Sequence, residues 1–146
     1  MKNRTGELTN AEGSVEYQNG IPNAPAAAPF FSQVVWAGDT AYLAGQIALD
    51  AATKKLVEGG ITAETEKTFD NMEAVLHGAG LTIKDVAKIS VYLTNISELP
   101  AFNEIYQRRL GKARPAREMI EVKSLAFGAK VELTITAYRA SAIQNK

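Results

Sequence analysis

The sequence predicts an α+β fold in a single domain, with one mixed β-sheet and two helices packed on one of its faces. The chain has 146 residues, which suits one domain. Two segments carry apolar residues at helical spacing, and short segments typical of strands lie before, between and after them. The resulting order, β-β-α-β-α-β-β, is typical of α+β proteins.

The beginning of the chain shows little regular pattern. Residues 1–20 are polar and show no apolar period, so we expect a flexible N-terminal arm there. Residues 21–31 hold three prolines, which favours an extended and irregular entry into the domain. The domain is therefore expected to occupy residues 21–146, with regular structure from Ser32 onward.

The next segment, residues 32–50, has the pattern of a hairpin. Residues 34–36 form one short strand, Gly38 and Asp39 supply the turn, and residues 40–43 return as the second strand. A polar connection then leads to the first helix.

The first helix is predicted to begin with Thr62 as its N-cap, because Glu64 and Glu66 follow in the turn where the helix dipole favours anions. Its end is predicted at Gly78 and Gly80. Its apolar stripe, at spacings of three and four, consists of Phe69, Met72, Leu76 and Ala79.

The second half of the chain alternates strand and helix patterns. Residues 88–95 are predicted to form a half-buried strand, and Ser97 is predicted to cap a second helix that ends at Gly111. Two further strands are predicted at residues 116–122 and 130–138, where alternate apolar residues face one way. Because both helices cover one face, apolar residues on the other face indicate oligomerisation.

Composition argues against several classes of function. Sixteen Lys and Arg balance sixteen Asp and Glu, so we expect no general nucleic-acid binding. Without cysteine, and with His77 as the only histidine, the chain offers no thiolate nucleophile and no multi-histidine metal site. No apolar stretch is long enough for a membrane span and the N-terminus lacks a secretory pattern, so we expect a cytoplasmic protein that does not bind membranes.

Five segments, in order and at consistent spacing, carry a family resemblance: APAAAPFFSQVV, LAGQIALD, AFNEIYQRRL, ARPAREMIEV and VELTITA, within residues 21–140. Together they resemble the Rid/YjgF family of reactive intermediate deaminases. The resemblance implies a chorismate-mutase-like fold assembled as a homotrimer, with a ligand cleft at each subunit interface. It also implies hydrolysis of reactive enamines and imines, such as 2-aminoacrylate and its imine tautomer, to a 2-keto acid and ammonia without a cofactor.

The resemblance also assigns roles to residues of this chain. It implies that Arg117 holds the substrate carboxylate and that Glu132 positions or activates water. Gly45 matches a family glycine in a strand-ending turn, and Asn103 matches a family asparagine on a helix. A guanidinium suits the first role because it stays charged and its fork of donors matches a carboxylate.

Several positions near this predicted site depart from the family pattern. Phe31 stands where a tyrosine is usual, Ala44 where a serine is usual, and Glu118 and Met119 where a serine and a cysteine are common. Since alternate residues of a strand share a face, Met119 is expected to line the pocket beside Arg117, while Glu118 points away.

The remaining candidates for substrate contact have structural alternatives. Phe31, Tyr106 and Phe127 are candidates for an aromatic wall beside the cleft, with packing as the alternative for all three. Arg114 is expected to be a solvent or interface cation, or else to widen the anion site. From the residues alone two structural alternatives also remain open: Arg117 in an ion pair, and Glu132 on a solvated face of its strand.

The sequence leaves three candidate functions to be tested. The first is an enamine/imine deaminase. The second is a non-catalytic trimer that binds small carboxylates such as 2-keto acids and regulates a partner. The third is ribonuclease activity, which zero net charge and the lack of a histidine pair disfavour.

Overall fold

A computed structural model describes residues 4–10 and 13–140, in which seven strands form one sheet accompanied by two α-helices. The elements are β1 (Glu7–Asn10), β2 (Val15–Asn19), β3 (Val34–Ala37), β4 (Thr40–Leu43), α1 (Gly60–Gly78), β5 (Val86–Leu93), α2 (Leu99–Leu110), β6 (Ala116–Glu121) and β7 (Val131–Tyr138). None of the helices in these two ranges is both long and apolar enough to cross a membrane.

The sheet has the strand order β1-β2-β3-β4-β7-β5-β6. All neighbouring strands pair antiparallel except β5 and β6, which are parallel because α2 provides the crossover between them. The helices pack on each other, and α1 also packs on β7. The predicted α+β fold, with a mixed sheet and two helices, is confirmed.

The core lies between the helices and one face of the sheet. The apolar stripe predicted on α1 is buried, and so are the alternating positions of β5 and β7. These residues are Phe69, Met72, Leu76, Ala79, Ile89, Val91, Leu93, Val131, Leu133 and Ile135. On the other face, Tyr17 and Tyr42 are the cross-strand neighbours of Val35. These two tyrosines remain 39% and 50% exposed.

The prediction of a flexible arm over residues 1–20 is wrong for those of its residues that the structure describes. Strands β1 and β2 form an antiparallel hairpin that extends the sheet from β3. Gln18 is fully buried there, where its Nε2 donates to the Gly78 carbonyl at 2.8 Å and its Oε1 accepts from Trp36 Nε1 at 2.9 Å. A buried strand position can be polar when all its hydrogen-bonding groups have partners. A strand with such a position does not show the apolar alternation by which strands are recognised in a sequence.

Both predicted helix caps are corrected by the structure. Helix α1 begins at Gly60 after Gly59, so Thr62 lies exposed in the first turn. Before α2, residues Ile96–Glu98 form a turn of 3-10 helix capped by Asn95, whose side chain accepts from the Ser97 amide. The predicted helix ends agree with the observed ones at Gly78 and Gly111.

Candidate functional site

The strand register separates the two predicted catalytic residues. Arg117 pairs with Ile89, which pairs in turn with Ile135, and both of these side chains are buried in the core. Glu132 pairs with Tyr92 on the alternate positions of the same strands. Because paired residues project from the same face of a sheet, Arg117 faces the helices and Glu132 faces the opposite side.

Arg117 lies on the edge strand β6 and is oriented by two residues of α2. Its Nη1 donates to Asn103 Oδ1 at 2.8 Å, and its guanidinium carbon lies 4.8 Å from the centre of the Tyr106 ring. Asn103 and Tyr106 are three residues apart, so they stand on the same side of the helix. A neutral amide and an aromatic face hold the cation without neutralising it. The structure thus brings together the predicted Arg117 and Asn103.

Arg117 differs from most other arginines of the chain in having no acidic partner. Among the described residues, four of the six arginines form ion pairs with carboxylates, and Arg114 and Arg117 form none. The pairs are Arg4 with Glu16, Arg108 with Glu66, Arg109 with Glu66, Asp70 and Glu73, and Arg139 with Asp39. Donors of the Arg117 guanidinium are therefore left for an external anion.

The adjacent carboxylate, Glu118, is engaged on the other face of the sheet as predicted. It accepts from Ser90 Oγ at 2.6 Å and pairs with Lys88 Nζ at 3.2 Å. The hydrogen bond from Ser90, followed by the contact with Lys88, lowers the pKa of this carboxyl. Glu118 is thus ionised but does not approach Arg117, its neighbour in sequence.

A cavity of about 260 Å³ opens beside Arg117. It lies between the end of α2, the connection to β6 and the start of that strand. Its walls are Tyr106, Gln107, Leu110, Ala113, Arg114, Pro115 and Arg117. Mostly uncharged walls with two guanidinium groups and no carboxylate favour an anionic ligand with some apolar surface.

Glu132 occupies a half-buried position on β7, where burial raises the pKa of its carboxyl. Within residues 4–10 and 13–140 this carboxylate makes no hydrogen bond or ion pair. Gly45 lies directly against it, since a Cβ atom at that position would be 2.2 Å from Glu132 Oε2. Backbone bonds between Gln46 and Leu133, at 2.8 and 3.0 Å, hold the two segments this close. The structure thus brings together the predicted Gly45 and Glu132.

A wider cleft of about 670 Å³ lies next to this pair. Its lining includes Phe31 and Ala44, two of the departures from the family pattern, and Ala44 leads directly into Gly45. Phe31 is 49% exposed and packs against Phe30 with ring centres 5.6 Å apart. The full lining is Tyr17, Asn19, Pro29, Phe30, Phe31, Ser32, Val35, Tyr42, Leu43 and Ala44.

The other two predicted substrate contacts lie apart from these cavities. Met119 shares the helix-facing side of β6 with Arg117 but packs partly buried against the core. Phe127 is 71% exposed in the turn before β7, at a φ of 62°, and lines neither cavity.

The sequence does not predict how two residues near the site contribute to it. Tyr106 is expected to pack or to form an aromatic wall, and its ring supports Arg117; the three-residue interval from Asn103 is the signal that points to this contact. Tyr17 lies in the stretch expected to be flexible, yet it lines the wider cleft. No local pattern marks Tyr17, because its place depends on the pairing of β2 with β3.

Comparison with known proteins gives consistent matches. Residues 21–139 match the family model described as Endoribonuclease L-PSP. A RutC family protein of Pyrococcus horikoshii is 35% identical, over 80% of this chain and 93% of its own length. A 2-iminobutanoate/2-iminopropanoate deaminase of Dermatophagoides farinae is 35% identical, over 77% of this chain and 88% of its own length. The crystal structure of RidA from an Antarctic Psychrobacter superposes with a TM-score of 0.76 at 37% identity, over 80% and 94%.

Proposed function

The chain belongs to the Endoribonuclease L-PSP family, also known as Rid/YjgF, and from that premise we propose that it is a cofactor-independent enamine/imine deaminase. The proposed reaction hydrolyses reactive 2-imino or 2-enamino acids to 2-keto acids and ammonia. The observation that carries the proposal is Arg117, a guanidinium held by Asn103 and Tyr106 with no carboxylate beside it. The names of deaminase relatives at about one-third identity support the same reaction class.

In the proposed complex, Arg117 binds the substrate carboxylate. A carboxylate accepts two parallel hydrogen bonds from a guanidinium, which fixes the position of the neighbouring C2 atom as well as the charge. Asn103 and Tyr106 hold the guanidinium in one orientation before the ligand arrives, so less side-chain entropy is lost on binding. Holding the imine in one place relative to water is then the main source of rate.

Glu132 is proposed to act on the water. Its carboxylate accepts a proton as the water oxygen bonds to C2 of the imine, and it returns that proton to the nitrogen. The resulting carbinolamine passes its hydroxyl proton through Glu132 to the nitrogen as the C2–N bond breaks, so that C2 becomes a carbonyl and ammonia leaves. Burial raises the pKa of Glu132, which makes its carboxylate a better base than one in water. Gly45 leaves the space in which this carboxylate sits.

The two residues can meet one substrate only if different copies of the chain supply them. Arg117 and Glu132 project from opposite faces of one sheet, so one copy cannot place both beside the same carbon. We therefore propose a homotrimer in which the Arg117 side of one copy lies against the Glu132 side of the next. Exposed aromatic residues on the Glu132 side, Tyr17, Tyr42 and Phe31, offer apolar surface for such a contact.

A second function, binding without turnover, is favoured by the walls of the wider cleft. Phe31 and Ala44 place hydrocarbon where hydroxyl groups are usual in the family, so fewer groups there can orient a water molecule. The chain would then be a trimeric receptor for small carboxylates such as 2-keto acids. We do not propose RNA cleavage, since the net charge is zero and a pair of histidines for acid–base chemistry is missing from the sequence.

The test is to generate imino acids in situ, from 2-iminopropanoate to bulkier homologues, and to follow their decay with and without the protein. The deaminase proposal requires faster decay that is lost in Arg117→Ala. Calorimetric titration with 2-keto acids is run in parallel. Binding without any acceleration of decay supports the receptor, and full activity in Arg117→Ala rejects the assigned site.

A further inference from the structure

The two arginines without carboxylate partners line the same cavity. Arg114 and Arg117 both face the space of about 260 Å³ at the end of α2. Every other arginine in the described ranges is paired with at least one carboxylate. Two unpaired cations at one cavity make its potential positive, which favours the entry of anions.

Arg114 is held in place by the backbone around it. Its Nη1 donates to the carbonyl oxygens of Gly111 and Ala113, each at 2.7 Å. Within the described part of the chain, its other nitrogens make no hydrogen bond and remain available. The guanidinium is therefore anchored at one end and open at the other, as a carboxylate-binding group requires.

The short stretch of chain between the two arginines limits how far apart they can lie. Three residues of chain span at most about 11 Å between Cα atoms. Pro115 lies between them, which fixes one backbone angle and restricts Arg114 before it to an extended conformation. Leu110 and Ala113 line the intervening wall and offer contact to a short carbon chain.

We infer that this cavity recognises 2-imino and 2-keto dicarboxylates: Arg117 binds the carboxylate next to the reacting carbon, and Arg114 binds the distal one. The inference rests on the proposed function for the assignment of Arg117. It adds a substrate class and makes Arg114 a specificity-determining residue. A monocarboxylate of the same length satisfies Arg117 alone and leaves Arg114 without an anion.

Equilibrium binding tests the inference without requiring turnover. The probes are 2-oxoglutarate and 2-oxopentanoate, which have the same carbon chain but differ in the distal carboxylate. By calorimetry, wild-type protein is expected to bind 2-oxoglutarate about tenfold or more tightly, as for a hydrogen bond to a charged group. Arg114→Gln should abolish that preference, because it weakens 2-oxoglutarate binding much more than 2-oxopentanoate binding. Lys112→Gln, at an exposed cation two residues away that does not line the cavity, is the matched control and should retain the preference.

The outcomes separate this inference from the proposed reaction. Equal binding of the two keto acids to the wild type, or an unchanged preference in Arg114→Gln, overturns the inference even if monocarboxylate imines are hydrolysed. A preference that depends on Arg114, with no imine hydrolysed, supports the inference and rejects the deaminase. Absence of binding by either keto acid also overturns the inference, and the decay assay then decides the reaction on its own.

Discussion

Gly45 and Glu132 are in direct contact, so that a single methyl group at position 45 would lie 2.2 Å from Glu132 Oε2. The atom it would meet is the end of a side chain, which can swing away at little cost. Gly45→Ala should therefore displace the carboxylate while leaving the fold intact. A misplacement of about 1 Å lowers rates by roughly 100-fold in well-ordered sites, so imine hydrolysis should fall by 10- to 100-fold. The assay is initial rate together with the midpoint of thermal unfolding.

A matched control is Gly13→Ala, at a position where an added Cβ meets nothing within 4 Å. This variant should behave as wild type in both measurements. Wild-type activity in Gly45→Ala would remove Glu132 from the reaction, because the two side chains cannot both keep their places. In Glu132→Ala, adding Gly45→Ala should have little further effect, since the contact is already gone.

Arg117→Ala should weaken substrate capture more than any change nearby. The substituted chain loses a charge-assisted pair with the substrate carboxylate, which typically amounts to about 10- to 100-fold in affinity. The loss should appear in kcat/KM for imines and in Kd for keto acids. Arg108→Ala is the control, because Arg108 is an exposed arginine of α2 that pairs with Glu66. Equal losses in the two variants would mean that the effect of Arg117 is structural.

Asn103→Ala should give a weaker form of the same defect. The variant keeps the charge of Arg117 but loses the 2.8 Å bond that orients it. One net hydrogen bond of about 1 kcal/mol corresponds to roughly fivefold in binding. Keto-acid affinity measured by calorimetry should therefore fall by about that factor. A loss as large as that of Arg117→Ala would contradict a purely positioning role for Asn103.

The locations of Arg117 and its neighbours show what local sequence patterns can predict. Strand alternation correctly places Arg117 and Glu118 on opposite faces, and helical spacing correctly predicts the buried stripe of α1. Both patterns depend only on residues close together in the chain. The separation of Arg117 from Glu132 instead depends on how β6, β5 and β7 align with one another, and no local pattern encodes that register.

The missed hairpin of β1 and β2 has a related cause. Its buried position is Gln18, whose hydrogen bonds to Trp36 and Gly78 come from parts of the chain 18 and 60 residues away. Apolar alternation, the main signal for a strand, is therefore absent. The location of Tyr17 in the wider cleft follows from the same hairpin.

The activity should depend on pH through Glu132. Its carboxyl must be ionised to accept a proton from water, and burial raises its pKa above the ordinary value of 4.5. The rate should therefore rise with pH through that raised pKa and then level off. In Glu132→Gln the rate should be low, and this acid limb should disappear. An unchanged limb in Glu132→Gln would assign the titration to another group, including the imine itself.

Stability should carry a separate pH dependence from Glu64. This residue is 3% exposed on α1, and its Oε1 accepts the Lys130 backbone N–H at 2.8 Å. Burial raises the pKa of Glu64, and the bond from Lys130 opposes that rise only in part. The folded state thus holds the proton more tightly than the unfolded state. This contribution to the free energy of unfolding is full below the unfolded pKa and is lost as pH rises through the folded one.

Glu64→Gln keeps an acceptor for Lys130 but cannot ionise. Its free energy of unfolding, measured in urea, should increase relative to wild type as the pH rises from 4 to 7. Glu64→Ala leaves the Lys130 N–H without a partner and should be less stable than Glu64→Gln by about 1–3 kcal/mol. A constant difference between wild type and Glu64→Gln across this range would mean that Glu64 titrates alike in both states.

Mixing two impaired variants tests whether adjacent copies share the site. Each variant chain lacks one of the two functional side chains. A complete site forms only where a Glu132→Gln chain, which keeps Arg117, lies against an Arg117→Ala chain, which keeps Glu132. After co-refolding in equal amounts, random assembly of a symmetric oligomer should restore about a quarter of the wild-type sites. The control mixes wild type with the double variant. That mixture should also retain about a quarter of the sites if copies share them, but about half if each chain has its own. Mixed oligomers verified by mass spectrometry that show no recovered rate would reject a site shared between copies.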